Sequence, residues 1–239
     1  MKEIIFYIHL YPMRIDKYLA SLWIISRRQA KEIFKSWAVM IGDEHIQDTW
    51  HVLNIWDSIH YDDMVIPYKP IVVILLHKPI GYVCSDVAEG KYKSYRMLLD
   101  DCIYKETLHV AGRLDADTTG LVLITNDGDL NHHIISPKKK MVKTYEVQVE
   151  KVINDAAIKQ LEAGVVLEDG YHTLPAQVIK KSEKNIVLMI HEGKYHQVKR
   201  MLEAVDNKVV KLHRTQIGKC ILWNIAEGKR KEIEEQEVF

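Results

Sequence analysis

The chain has 239 residues and a mass of 27.8 kDa, with 33 basic and 33 acidic side chains and a formal net charge of zero. This length allows one large core and a small second domain, and the neutral balance argues against attraction of the whole molecule to polyanions, so that a nucleic-acid site needs local clusters of charge. The three cysteines lack metal-type spacing, which argues against disulfides and a zinc site. The longest apolar run, 71–76, is far shorter than the about 20 residues that a membrane span needs. We therefore expect a cytoplasmic protein.

Two helices are expected near the start of the chain, after twelve residues that lack the cleavage site of a secretory signal. Apolar residues at helical spacing predict a helix over 15–22, and Ser26 with Gln29 forms a capping-box pattern that begins a second helix. The expected apolar face of the second helix consists of Ala30, Ile33, Phe34 and Trp37. Its opposite face carries charge of one sign, which suits a phosphate backbone, through Arg27, Arg28, Lys31 and Lys35.

A hairpin and a further strand complete this small unit. Short apolar segments on either side of Gly42 and Asp43 predict the hairpin, and a strand is expected over 53–61. This order of elements resembles the S4 RNA-binding domain, whose pattern is matched by 14–20 (RIDKYLA), 26–31 (SRRQAK) and 39–43 (VMIGD). The resemblance implies an S4 domain over 13–62 and adds Arg14 to its RNA-binding candidates. Two prolines then predict a linker over 63–71.

Residues 72–239 are expected to form a second domain composed mostly of strands. Strands are predicted over 72–76, 82–83, 108–114, 121–125, 144–149, 177–181, 185–190 and 209–213. Helical patterns interrupt them at 95–100, 154–163 and 196–204. Strands in hairpin-like succession with few helices predict an α+β fold with a mixed, largely antiparallel sheet.

The segment 109–130 presents one carboxylate, Asp115, on a short polar loop between two apolar runs, and the sequence Asn-Asp-Gly at 126–128 predicts a turn after the second run. A calcium loop begins in a similar way, but its twelfth position would be Asn126 instead of a bidentate Glu. On spacing alone, an ordinary hairpin in which Asp115 and Asp117 only hydrogen-bond the turn stays an open alternative.

The segment 112–121 (GRLDADTTGL) resembles the active-site motif of RNA pseudouridine synthases. Further segments are similar to the RsuA branch of that family, which modifies small-subunit ribosomal RNA, and they follow in the family's order: 77–85 (HKPIGYVCS), 143–145 (KTY), 192–201 (EGKYHQVKRM) and 212–218 (LHRTQIG). Together with the S4-like segments, the resemblance covers about residues 13–225.

The resemblance implies a role for each residue of the site. Asp115 is the essential catalytic group, and Lys199 is the cation that favours its charged form, with Arg200 as the substitute. Tyr145 stacks on the base and shuttles a proton, with Lys143 as its helper. Without the resemblance, Lys199 and Arg200 would be interpreted as exposed charges on a helix, and Tyr145 as half-buried packing.

The remaining candidates contact the RNA. Arg113 is suited to filling the gap left by a flipped nucleotide or to binding phosphate, because its planar fork does both. Leu212 is expected to pack on the uracil, although an ordinary core position is the competing interpretation. Arg214 is counted among the basic groups that offset the cost of extruding the nucleotide. An isomerisation without net redox change implies no cofactor and no metal.

The resulting interpretation is a monomeric enzyme that isomerises one uridine of ribosomal RNA, in 16S RNA or its assembly particle, without a membrane partner. Within the same family resemblance, the alternative is a synthase that acts on large-subunit 23S RNA. A non-catalytic S4-type binding or assembly factor is the alternative from another class, and nucleoside hydrolysis by Asp115 and Asp117 is a third possibility. Retention of both Asp115 and Tyr145 argues against the non-catalytic factor.

Overall fold

A computed structural model describes residues 12–238, which divide into two compact units. Unit 1 holds residues 12–72 and the segment Asp101–Leu108, and unit 2 holds Val73–Asp100 and residues 109–238. Residues 1–11, where we expect no secretory signal, and residue 239 lie outside the described part of the chain.

Unit 1 begins with the two predicted helices, α1 (Ile15–Ser21) and α2 (Arg27–Lys35). Its strands are β1 (Met13–Arg14), β2 (Val39–Ile41), β3 (Glu44–His45), β4 (Val52–Leu53), β5 (Ser58–Tyr61) and β6 (Met64–Pro67). The capping box at Ser26 and Gln29 is confirmed. The expectation for Trp37 is wrong, because α2 ends at Lys35 and Trp37 follows in a left-handed conformation with 55% of its surface exposed.

The sheet of unit 1 extends beyond residue 62. Its order is β3-β2-β5-β6, and β6 pairs antiparallel with β5 inside the segment that we expected to be a linker over 63–71. The hydroxyl groups of Tyr18 and Tyr104 both donate to the Pro67 carbonyl, at 2.9 and 3.0 Å. The second bond joins Asp101–Leu108, expected in the second domain, to the rest of unit 1.

Unit 2 is built on a large sheet. The strands of the large sheet are β7 (Val73–Lys78), β10 (His109–Ala111), β11 (Thr119–Thr125), β12 (Lys143–Val149), β13 (Gln177–Lys180), β14 (Asn185–Ile190), β15 (Val209–Ile217), β16 (Cys220–Ile221) and β17 (Arg230–Ile233). Two further strands, β8 (Tyr82–Val83) and β9 (Lys93–Ser94), pair with each other in a separate sheet. The helices of unit 2 are α3 (Gly128–Ile135), α4 (Asp155–Ala163) and α5 (Gln197–Ala204). Single 3₁₀ segments lie at Tyr95–Leu99, Pro137–Lys139 and Glu235–Glu237, and another lies in unit 1 at Lys105–Thr107.

The sheet order of unit 2 is β13-β14-β12-β15-β11-β7-β17, with β10 paired to β11 and β16 paired to β15. Within this described sheet, β11 and β15 pair in parallel and the other neighbours pair antiparallel. Strand β11 is buried along Gly120–Thr125 because neighbours cover both of its edges and helix α3 packs against it. The α+β fold with a mixed, largely antiparallel sheet is therefore confirmed.

Helix α3 of unit 2 is not among the predicted elements. The Asn-Asp-Gly segment at 126–128, expected to be a turn, leads into helix α3, which begins at Gly128 with Asp127 as its N-cap. The Asp127 carboxylate accepts a hydrogen bond from the Leu130 backbone N–H at 2.8 Å, so this side chain acts as a helix N-cap. Asp and Asn favour turns and N-caps for the same reason, and the pattern did not distinguish the two.

Among the helices of the described residues, none combines the length and the apolar composition needed to span a membrane.

Candidate active site

Asp115 lies on the loop that joins β10 to β11, as the apolar runs on either side predicted. The two strands are antiparallel neighbours, with Ala111 opposite Leu123. The Thr118 N–H donates to the Asp115 carbonyl at 3.1 Å, and the Gly81 N–H donates to the Ala116 carbonyl at 2.8 Å. The first bond closes the loop and the second ties it to the segment after β7. Asp115 is therefore held on a backbone with little freedom.

The buried side chain of Arg214 also holds this loop in place. This side chain is 1% exposed, and its Nε donates to the Leu121 carbonyl at 2.7 Å. One terminal nitrogen donates to the Gly112 carbonyl at 2.6 Å, and the other lies 3.3 Å from the Tyr145 hydroxyl and 3.5 Å from the Arg113 carbonyl. Arg214 is therefore buried under the loop, with its donors directed at three backbone carbonyls and the Tyr145 hydroxyl. Its expected place among the basic groups that offset the cost of extruding the nucleotide stays a prediction.

Gly120 allows the close approach that this arrangement needs. Gly120 and Arg214 are partners in the parallel pairing of β11 with β15. A Cβ atom built on Gly120 would collide with the backbone carbonyl oxygen of Arg214, and the residue has a φ of 115°. Any other residue would push the two strands apart at the point where Arg214 enters the core.

Helix α5 brings a cation to the Asp115 carboxylate. The Lys199 Nζ lies 2.8 Å from Asp115 Oδ2, and it also lies 2.7 and 3.0 Å from the two carboxylate oxygens of Asp117. Burial lowers the pKa of Lys199, but the hydrogen bonds and charges of the two carboxylates outweigh burial and raise it above its usual value. Burial raises the pKa of Asp117, and the contact with Lys199 brings it below the usual range. Lys199 is thus held in its charged form.

Arg200, the substitute for Lys199, is directed elsewhere. Its terminal nitrogen lies 2.6 Å from a carboxylate oxygen of Asp169, and its Nε lies 4.0 Å from Glu168. Lys199 is the residue of this pair that reaches Asp115. The Nε2 atom of His196 lies 3.4 Å from Asp115 Oδ1, so a second nitrogen approaches the carboxylate from the start of α5.

A cleft of about 790 Å³ in unit 2 gathers the remaining predicted residues. Tyr145 and Leu212 line it and are almost completely buried, whereas Arg113 lines it and is exposed. The predicted residues along its wall are Arg113, Asp115, Lys143, Tyr145, Lys199, Leu212 and Arg214. The cleft therefore offers two buried, largely apolar contacts next to one carboxylate that is paired with a cation.

Lys143 is buried beside this cleft and is 3% exposed. Its Nζ lies 3.4 Å from the Ile134 carbonyl and 3.5 Å from the Met141 carbonyl, both long for hydrogen bonds. Burial, with a smaller contribution from the charge of Arg214, lowers the pKa of Lys143 to about 8. Lys143 is therefore a weakly held cation in the wall of the site.

In unit 1, Arg27, Arg28 and Lys31 are exposed on α2, as predicted. Arg14 is half-buried, and its guanidinium lies 3.7 Å from the centre of a Trp50 ring. Both Arg14 Nε and a terminal nitrogen donate to the Asp16 carboxylate, at 3.0 and 2.6 Å. Arg14 is therefore the most constrained of the four predicted cations of this unit.

Comparison with known proteins identifies the family to which this cleft belongs. Residues 72–204 match the family model described as RNA pseudouridylate synthase. The chain is a member of the RNA pseudouridine synthase family. This synthase is an isomerase, and the matched residues include the loop of Asp115 and the helix of Lys199.

Individual relatives place the synthase in the RsuA branch of the family. It is 39% identical over 228 residues to the ribosomal small subunit pseudouridine synthase A of Vibrio cholerae, which covers 95% of this chain and 98% of that protein. A Bacillus subtilis protein described as an uncharacterized RNA pseudouridine synthase is 38% identical, with 95% and 97% covered. A solved structure described as a pseudouridylate synthase has a TM-score of 0.66 and 35% identity, and covers 95% of this chain and 98% of its own.

Sequence reasoning missed several contacts of the synthase. His196 lies three residues before Lys199, a spacing that places both on one side of the start of a helix, so its approach to Asp115 could have been inferred. No sequence pattern indicated the contact of Asp117 with Lys199. The same is true of the burial of Lys78, whose Nζ donates to the Pro79 and Tyr82 carbonyls at 2.9 and 2.7 Å. These contacts join segments that are far apart in the chain, or they depend on the path of a loop.

Arg214→Lys tests the buried contacts that hold the Asp115 loop. A lysine cannot bond the Leu121 and Gly112 carbonyls and Tyr145 together, so buried acceptors lose their donors. We expect the free energy of unfolding to fall by about 2–4 kcal/mol in urea denaturation. The matched variant Arg113→Lys changes an exposed arginine of the same cleft and is expected to change stability by less than about 0.5 kcal/mol. Equal stabilities for the two variants would contradict the buried role of Arg214.

Lys143→Met tests the buried lysine through pH. Because the pKa of Lys143 is lower in the folded chain, the unfolded chain binds more protons between about pH 8 and 10, and this lysine opposes folding least at high pH. We measure the free energy of unfolding of both proteins by urea denaturation at pH 7.5 and pH 10. We expect the advantage of Lys143→Met over the wild type to be smaller at pH 10 by about 1–3 kcal/mol. A stability difference that does not vary with pH would contradict the lowered pKa.

Proposed function

We propose that this synthase isomerises one uridine of small-subunit 16S ribosomal RNA to pseudouridine, with Asp115 as its catalytic group. The observation that carries the proposal is the 2.8 Å pair between Asp115 and Lys199 in the wall of a cleft of about 790 Å³. The choice of RNA is supported by relatives from Vibrio cholerae and Haemophilus influenzae, 39% and 36% identical, whose names refer to the small ribosomal subunit.

The reaction needs few groups. The N1–C1′ bond of uridine breaks, the uracil turns, and a C5–C1′ bond forms. The proton lost from C5 is balanced by the proton gained at N1, so no atoms and no electrons are exchanged overall. The ammonium of Lys199 lies 2.8 Å from an Asp115 carboxylate oxygen, so a positive charge stands beside the carboxylate that is proposed to act on the ribose or the base.

Tyr145 and Leu212 are the proposed contacts of the turned uracil. Both line the cleft and are more than nine-tenths buried, and the Tyr145 hydroxyl is fixed by Arg214 at 3.3 Å. A fixed aromatic ring and an aliphatic side chain provide the stacking and packing that hold an unstacked base. Lys143, two residues from Tyr145 on the same strand, adds positive charge to the wall of the site.

The uridine has to leave its stack before it can be turned, at a cost of a few kcal/mol. Arg113 is exposed at the cleft, two residues before Asp115, and its planar guanidinium can stack in the gap or bind a phosphate. We therefore assign Arg113 to stabilising the RNA from which the nucleotide has been extruded.

The helix and strand unit that begins at residue 13 is proposed to be an S4-type RNA-binding domain. Its basic face on α2 combines Arg27, Arg28 and Lys31 in an exposed arrangement, which suits contacts with successive phosphates. Asp16 already neutralises part of the charge of Arg14, which is therefore proposed to contact RNA mainly as a stacked, fixed side chain beside Trp50.

Asp115→Asn tests the catalytic assignment. Removing the charge should abolish isomerisation, measured as release of tritium from 16S RNA labelled at C5 of uridine, while RNA affinity stays within a few fold because the RNA contacts are elsewhere. The matched variant Asp117→Asn removes the other carboxylate beside Lys199 and is expected to keep measurable turnover. Persistent turnover by Asp115→Asn would show that the wrong group has been assigned.

A triple variant, with Gln in place of Arg27, Arg28 and Lys31, tests the N-terminal unit. We expect the Kd for a 16S RNA fragment to rise roughly 10-fold. The slope of log K against log salt should become less steep by about 2, because fewer counterions are released when fewer phosphates are contacted. A double variant of Lys229 and Lys231, two exposed lysines of unit 2, serves as the charge control. An unchanged salt slope in the triple variant would argue against RNA binding by this face.

A further inference from the structure

Tyr195 presents an aromatic ring to solvent beside the catalytic carboxylate. Its surface is 73% exposed, and it lines the same cleft as Asp115. The ring is stacked on His196, with 3.8 Å between the ring centres and 21° between the ring planes. A ring that is covered on one face and this exposed has its second face available for another flat group. Large aromatic side chains in such positions are typical of binding surfaces.

The loop that carries Tyr195 is fixed at its start. Glu192 is 1% exposed and accepts hydrogen bonds from the Tyr171 hydroxyl at 2.7 Å and the Leu174 N–H at 2.9 Å. The side-chain amide of Gln197 also donates to Glu192, at 2.6 Å. A buried carboxylate with three donors is a rigid anchor, because moving it would leave polar groups unsatisfied.

The other end of the loop is fixed as well. The Gln197 side-chain oxygen accepts from the Lys194 N–H at 2.8 Å, and the Arg200 N–H donates to the His196 carbonyl at 3.0 Å. The Arg200 guanidinium reaches the Tyr195 carbonyl at 3.3 Å. The backbone on both sides of Tyr195 is therefore ordered, so binding a ligand on the ring requires little further loss of entropy.

The stack connects directly to the reaction centre. His196 lies between Tyr195 and Asp115, with its Nε2 3.4 Å from Asp115 Oδ1. Under the proposed function, the buried Tyr145 and Leu212 already contact the turned uracil. The exposed Tyr195 is therefore available to a base that does not enter the buried part of the cleft, namely that of a nucleotide next to the target. Arg113 and Lys194 are exposed on the same cleft and supply positive charge for the phosphates between the two nucleotides.

We infer that Tyr195, held on His196, is a stacking platform for an unpaired base next to the target uridine, and that it makes the enzyme select targets in single-stranded or irregular RNA. The inference rests on the proposed function of the cleft and names a further determinant of its substrate. Stacking on an aromatic ring accepts any base, so the platform would recognise an unstacked neighbour, whatever its identity.

The test measures kcat and KM for Tyr195→Ala, Tyr195→Phe and the wild type on one RNA fragment that the wild type isomerises. Two further RNAs carry an abasic nucleotide on the 5′ or the 3′ side of the target. We expect Tyr195→Ala to raise KM about 10-fold with little change in kcat, and Tyr195→Phe, which keeps the ring, to restore it. Trp223→Ala, a change at a 71% exposed aromatic residue that does not line the cleft, serves as the control for loss of an exposed ring.

The abasic RNAs decide the outcome. If the platform exists, one of them raises KM for the wild type, and on that RNA Tyr195→Ala has no further effect. An equal penalty for Tyr195→Ala on all three RNAs, a fall in kcat instead of a rise in KM, or no change at all would overturn the inference. Wild-type turnover on the unmodified fragment tests the proposed function separately, so failure of the platform and failure of the isomerase assignment have different signatures.

Discussion

The buried guanidinium of Arg214 is the constraint on which the site depends. Its donors reach the Leu121 and Gly112 carbonyls and the Tyr145 hydroxyl, which belong to β11, the Asp115 loop and β12. A buried cation is stable only when its donors are satisfied, so these groups cannot shift independently without a large cost in free energy. The positions of the Asp115 loop and of the Tyr145 ring thus have one common origin. Gly120 makes this possible by letting β11 and β15 approach each other at Arg214.

The charge beside Asp115 comes from a different part of the chain. Lys199 is carried by α5, far along the sequence, and it is shared between Asp115 and Asp117. Two carboxylates contact the one ammonium, hold the lysine in place and raise its pKa, so that Lys199 stays protonated. The Glu192 network orders the loop before α5 and so fixes the first turn, which carries Lys199. Arg214 therefore anchors Asp115 and Tyr145, the Glu192 network anchors Lys199, and together they keep the site preorganised.

Much of this architecture is visible in the sequence. Apolar patterns located β11, β12, β14 and α5 to within a few residues, because burial of one face of a helix, or of one or both faces of a strand, leaves a pattern of apolar residues in the sequence. The motif around Asp115 and the position of Lys199 followed from the resemblance. The role of Arg214 could not be predicted, since a basic residue in a strand is normally exposed and its burial depends on three partners from other elements. Likewise, nothing local distinguishes the N-cap at Asp127 from a turn, or signals that Met64–Pro67 continues a sheet.

The central claim is that one carboxylate, paired with a lysine, acts on a uridine that has been drawn out of its stack. A crystal structure of the chain bound to a 16S RNA fragment containing the target uridine tests it most directly. We expect an extruded nucleotide with its uracil between Tyr145 and Leu212, and a reacting carbon of the ribose or base within about 3.5 Å of the Asp115 carboxylate. A target uridine that stays stacked in the RNA, or that binds with Asp115 beyond reach of its ribose and base, would show that this carboxylate does not carry the reaction.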